Sequence, residues 1–72
     1  MYTLNLDNMT TGEMTEYFGT HEEMVQRFDL EAASFEREGW INEALEVTGD
    51  NVTCQWVYED GATVVVTLCE AE

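Results

Sequence analysis

No lysine occurs in this chain, and only two arginines, Arg27 and Arg37, offset sixteen aspartates and glutamates, so the formal charge is −14 at neutral pH. A field of that sign repels DNA, RNA and anionic membranes. It speeds encounter with a positively charged groove, an effect that weakens as salt rises. Direct nucleic-acid binding is thereby disfavoured, and the imbalance exceeds what solubility alone asks of a small domain. Histidine is nearly absent as well. His21 stands beside Glu22 and Glu23 at an expected helix start, where the dipole disfavours an imidazolium, and no nucleophile–base–orienter set can be assembled around it. Cysteine is limited to Cys54 and Cys69, without C-x-x-C spacing or a signal-peptide pattern, which points to reduced thiols in a cytoplasm. No apolar run approaches the roughly 20 residues that span a bilayer, and no basic amphipathic helix is present.

Other chemistries lack their signatures too. Cys54, Cys69 and His21 do not form a zinc-ligand spacing. Asp50-Asn51 and Glu59-Asp60 are turn residues, and no D-x-[DN]-x-[DN]-G calcium loop accompanies them. The glycines are scattered at boundaries that turns and caps explain, with no phosphate-cradling run. Asn8 and Asn51 match glycosylation sequons only formally. A domain of this size leaves little room for the concave pocket that paired-carboxylate catalysis needs. The expectation is no catalytic residue, no metal and no cofactor: a protein that is not an enzyme.

What the chain has is apolar content, 44% over 72 residues with two Trp, three Tyr and three Phe, too much for an acidic disordered tail. One folded domain over residues 1–72 is expected, an α+β fold. Tyr2, Leu4 and Leu6 alternate with polar neighbours as in a half-buried strand. Thr10 and Glu13 have capping-box spacing, Met9 and Met14 that of a hydrophobic staple, and Met14, Tyr17 and Phe18 share a helical face ending at Gly19. These spacings predict a first helix over 11–18. Thr20 and Glu23 repeat the capping box ahead of a stripe of Met24, Val25, Phe28, Ala32 and Phe35, with Gly39 as the stop, predicting a second helix over 20–38. Asp29 is a potential N-cap within it that would break residues 20–38 into two shorter pieces, and the fold class is read as an N-terminal strand followed by one or two helices, about 11–18 and 20–38.

From Trp40 the apolar period becomes two, and a three-stranded antiparallel meander is expected over about 40–47, 52–58 and 62–69, with the helices on one face of the sheet. A loop with Gly61 in the left-handed conformation pairs Trp56 with Val64, Cys54 with Val66 and Val52 with Leu68. A Thr48–Asn51 loop pairs Val47 with Val52, Leu45 with Cys54 and Ile41 with Tyr58, leaving Glu43 as an inward acid near a sheet edge or helix end. Cys54 then points inward and Cys69 outward. Trp40 is read as packing under the helix end, with Val57 and Val65 outward.

The charge is the remaining clue. Phosphates along a DNA strand are about 6 to 7 Å apart, close to the spacing of alternate strand residues or of same-face helix neighbours. Carboxylates on a rigid fold can imitate them, and the candidates for partner binding are Glu13, Glu16, Glu22, Glu23, Asp29, Glu46, Asp50, Glu59 and Asp60. In size, charge and compactness the chain resembles the small acidic DNA-mimic inhibitors of phages and other mobile elements, among them anti-CRISPR and anti-restriction proteins. No motif carries this resemblance, so it transfers no residue by position. It implies competitive, non-catalytic occupation of a Lys/Arg-lined DNA channel, often in a CRISPR effector complex, and a cytoplasmic location in a host cell if phage-encoded. Two other readings stand beside it: a salt-adapted acidic domain, and a regulatory or structural subunit, homodimeric or not, that binds a basic protein without copying DNA.

Overall fold

The computed structural model describes residues 1–71. Its elements in chain order are β1 (Tyr2–Asn8), β2 (Met14–Gly19), α1 (His21–Arg37), β3 (Ile41–Thr48), β4 (Asn51–Val57) and β5 (Thr63–Glu70). The five strands form one sheet in the order β2-β1-β5-β4-β3, with antiparallel neighbours throughout. α1 carries the chain from one edge of that sheet to the other.

This overturns the expected fold class. The segment expected as a helix over 11–18 is the edge strand β2, and the C-terminal strands belong to a five-stranded sheet with a single helix, not to a three-stranded meander with one or two helices. The turn between β1 and β2 explains the difference. The Asn8 side-chain oxygen accepts from the backbone N–H groups of Thr10 and Thr11, an Asx arrangement that folds the backbone on itself. Gly12, at φ 81°, takes the left-handed conformation that glycine adopts without steric cost, and Asn8 then donates to the Glu13 carbonyl at 2.8 Å. The Thr10 hydroxyl accepts from Thr63 N–H rather than capping a helix. Met9 and Met14 are both exposed, so no staple forms, and Gly19 is paired with Tyr2 inside the sheet.

α1 is continuous. Thr20 caps it with both halves of the capping box in place: its hydroxyl accepts from Glu23 N–H at 3.1 Å, and the Glu23 carboxylate accepts from Thr20 N–H at 2.9 Å. Asp29 therefore interrupts nothing. The C-terminal end closes through Gly39 at φ 94°, with Gly39 N–H on the Glu36 carbonyl and Trp40 N–H on the Phe35 carbonyl, the pair of bonds of a Schellman motif.

The helix lies over β1, β5 and β2. Met24 enters the core formed by Leu4, Cys54, Trp56, Val64, Val66 and Leu68, while Val25, Phe28, Ala32 and Phe35 pack around it. The expected pairings Trp56–Val64, Cys54–Val66, Val52–Leu68, Leu45–Cys54 and Val47–Val52 are present. Ile41, however, opposes Val57 rather than Tyr58, because the register shifts between Asn42 and Ala44. Glu43 is the extra residue of this bulge, so the inward acid is resolved by a kink in an edge strand. Neighbouring strands stand about 4.8 Å apart and a helix is about 10 Å across. One helix cannot roof five strands, so every residue of β3 is exposed.

Candidate functional site

The nine acids singled out from the sequence do not converge. Glu13 lies in the β1–β2 turn, Glu16 on edge strand β2, Glu22, Glu23 and Asp29 on α1, Glu46 on β3, Asp50 in the β3–β4 turn, and Glu59 and Asp60 in the β4–β5 turn. Three of them have structural work. The Glu23 carboxylate belongs to the capping box, and hydrogen bonds from the Thr20 backbone and side chain hold its pKa below the usual value. Asp50 accepts from the Tyr2 hydroxyl at 3.1 Å, and this bond is the largest cause raising the Tyr2 phenol above its usual pKa. Asp60 accepts from Ala62 N–H at 2.9 Å and so shapes its own turn. The other six carry no side-chain hydrogen bond among the described residues.

The charge is nonetheless unevenly placed. Strand register puts Thr3, Asn5, Thr53, Gln55, Val65 and Thr67 on the face away from the helix, where Asp7, Glu16 and Glu46 are the acids contributed by paired strand positions. Most of the other acids among the described residues lie on α1 or in the turns at the two ends of the sheet. At about 100° per residue, Glu22, Asp29 and Glu36 follow one flank of α1, opposite the flank on which Arg27 reaches Tyr17 of β2. Neutralisation within the fold is slight: Arg27–Glu31, at 3.1 Å, is the one ion pair among the described residues.

At the end of the molecule by the helix C-terminus a chain of four aromatic rings meets acids. Trp56, buried in the core, stacks on Phe35 with centroids 5.3 Å apart; Phe35 meets Trp40 edge-on at 5.4 Å, and Trp40 leans on Tyr58 at 5.2 Å. Trp40 thus packs under the helix end, as its place after Gly39 suggested, yet it stays half-exposed. Two clefts have Trp40 and Glu38 in their walls. One, of about 450 Å³, is walled by Glu38, Trp40, Tyr58, Asp60 and Ala62. The other, of about 280 Å³, has Leu6, Glu13, Phe35, Glu38 and Trp40 among its walls. Glu38 was not among the acids picked out from the sequence. Its signal was the run Glu38-Gly39-Trp40, which sets an acid and an aromatic on either side of a helix-ending glycine.

Other chemistry is sparse. No group of three or more His, Cys, Asp or Glu among the described residues is placed to hold a metal ion. Cys54 and Cys69 are both free thiols; Cys54 is buried, which pushes its pKa up, and Cys69 is half-buried beside the Thr3 hydroxyl. His21 packs its ring against Tyr2 at 4.7 Å. No helix among the described residues is long and apolar enough to cross a membrane. Comparison with protein-family models, with curated proteins and with solved structures returns no match.

Proposed function

We propose that this protein is a non-enzymatic inhibitor that occupies the Lys/Arg-lined nucleic-acid channel of a partner as a DNA mimic of the anti-CRISPR kind. The observation that supports it is a density of uncompensated charge on an ordered body. The molecule measures 36 × 21 × 19 Å, and its long axis corresponds to about one turn of duplex, roughly 34–36 Å. Duplex DNA carries one charge per about 1.7 Å, hence about 21 over that length. The −14 of this chain, a net value that already counts both arginines, is about two-thirds of that figure.

The resemblance to DNA lies in charge density more than in a phosphate row. Residues seven apart on a helix rise by about 10.5 Å, longer than the phosphate step, so the flank of Glu22, Asp29 and Glu36 does not by itself copy a strand. Arg and Lys in a channel made for DNA can donate charge-assisted hydrogen bonds to carboxylates in place of phosphates.

The test begins with the partner captured from host lysate and identified by mass spectrometry, then loaded with labelled duplex. The protein is expected to displace the duplex, its affinity to fall linearly in logarithm with logarithmic salt, and the double reversal Glu22→Lys/Asp29→Lys to weaken it about tenfold while the far-UV spectrum is unchanged. Glu23 is left in place because its carboxylate caps α1. A partner that holds duplex and this protein together would refute the mimicry.

A further inference from the structure

The chain contains one filled example of how it receives a cation. The Arg27 guanidinium lies 4.3 Å from the centroid of the Tyr17 ring, donates to the Tyr17 hydroxyl at 2.7 Å and meets the Glu31 carboxylate at 3.1 Å. An aromatic face, a polar edge and a carboxylate hold it together. The same kinds of group surround Trp40, but with no cation among them. Trp40 and Tyr58 lean together at 46°, and Glu38 and Asp60 share their cleft. Glu13 and Glu38 are among the walls of the second cleft that Trp40 lines.

Glu36 and Glu38 stand at the C-terminal, negative end of α1, where cations are favoured and carboxylates are not. The basic residue of the last turn, Arg37, makes no ion pair among the described residues. Carboxylates and aromatic faces, two independent sources of attraction for positive charge, therefore meet in the same clefts at the negative end of α1, and Arg37 lines neither of them.

We infer that the cleft walled by Glu38, Trp40, Tyr58 and Asp60 is a binding site for an arginine side chain presented by the basic partner, the guanidinium lying against the exposed surface of the Trp40–Tyr58 ring pair and pairing with Glu38 and Asp60. Arginine fits better than lysine. Its planar, weakly hydrated fork stacks on an aromatic face and bonds carboxylates at the same time, whereas an ammonium is a compact, strongly hydrated point charge. This inference rests on the proposed binding of a basic surface and names the place where that surface is gripped.

The probes are a hexaarginine and a hexalysine peptide, titrated into the full chain at low salt with tryptophan fluorescence and calorimetry as readouts. Two doubly neutralised variants of equal charge separate the site from the general field: Glu38→Gln/Asp60→Asn in the cleft and Glu22→Gln/Asp29→Asn on the helix flank. Hexaarginine is expected to bind more tightly than hexalysine and to change the Trp40 emission. The cleft variant should lose about tenfold in hexaarginine affinity, the flank variant no more than about twofold. Trp40→Phe should reduce the preference for arginine without affecting hexalysine. Equal losses in the two variants, or equal affinity for the two peptides, overturn the cleft and leave the broader electrostatic reading standing. Absence of any binding to either peptide overturns both.

Discussion

Thr20 and Glu23 show how a single residue type serves structure and charge together. Glu23 looks like one more surface acid, yet its carboxylate accepts the Thr20 N–H at the exposed start of α1. Replacing the capping hydroxyl, Thr20→Ala, is expected to cost about 1 kcal/mol, read as a drop in melting temperature of roughly 4–8 °C for a domain of this size. The pH dependence of the partner residue has a definite sign. Hydrogen bonds from Thr20 depress the Glu23 pKa from its model-compound value of 4.5, so the folded state binds a proton less readily than the unfolded state. The contribution is therefore present above pH 4.5 and lost as pH falls through the lower folded value. The gap in melting temperature between wild type and Glu23→Ala should be constant from neutral pH down to about pH 4.5 and close progressively below it. The capping box was legible because Thr20 and Glu23 both sit within four residues of sequence. Nothing local could show that Asp50 would be bonded to Tyr2, 48 positions away.

Among the elements, the strands of the C-terminal half were readable and the second strand was not. β4 and β5 present Val52, Cys54 and Trp56 against Leu68, Val66 and Val64 around a glycine-bearing turn, and that alternation admits one register. The six residues of β2 are too few to separate a period of two from one of 3.6: Met14, Tyr17 and Phe18 satisfy a helical face, while Thr15, Tyr17 and Gly19 share one face of the sheet. The decision was made by β1, which needed a second partner, and by the Asn8 and Gly12 turn that supplied it. The Glu43 bulge was hidden for a similar reason, since an inserted residue changes the parity on which register arguments depend. Position in the sheet now sets the energetic weight of each apolar residue. Leu68, on the central strand β5, is almost wholly buried, whereas Leu45 and Val47 on β3 are each 60% exposed. In urea titrations Leu68→Ala is expected to lose about 2–5 kcal/mol, while Leu45→Thr and Val47→Thr should each stay within about 0.5 kcal/mol of wild type. A large loss at β3 would show that the edge strand is covered in solution.

At the scale of the whole molecule, like charge is a standing cost to the fold and, under the proposed binding of a basic surface, an asset in association, and salt separates the two. With a net −14 and one internal ion pair among the described residues, added electrolyte has repulsion to screen and few attractions to weaken. The Debye length falls from about 10 Å at 0.1 M to about 3 Å at 1 M, well inside the 36 Å length of the molecule. The melting temperature is therefore expected to rise with sodium chloride. Because the core of Leu4, Cys54, Trp56, Val64, Val66 and Leu68 is apolar and closed by α1, the fold should also persist at 10 mM salt. A complex with a basic partner must respond in the opposite direction, losing affinity over the same range as the opposing charges are screened. Calorimetric melting and partner binding, measured on the same salt series, should thus move apart. A chain that unfolds at 10 mM salt would instead be a salt-adapted domain whose acids serve solvation. A partner affinity indifferent to salt would mean that contacts other than charge hold the complex.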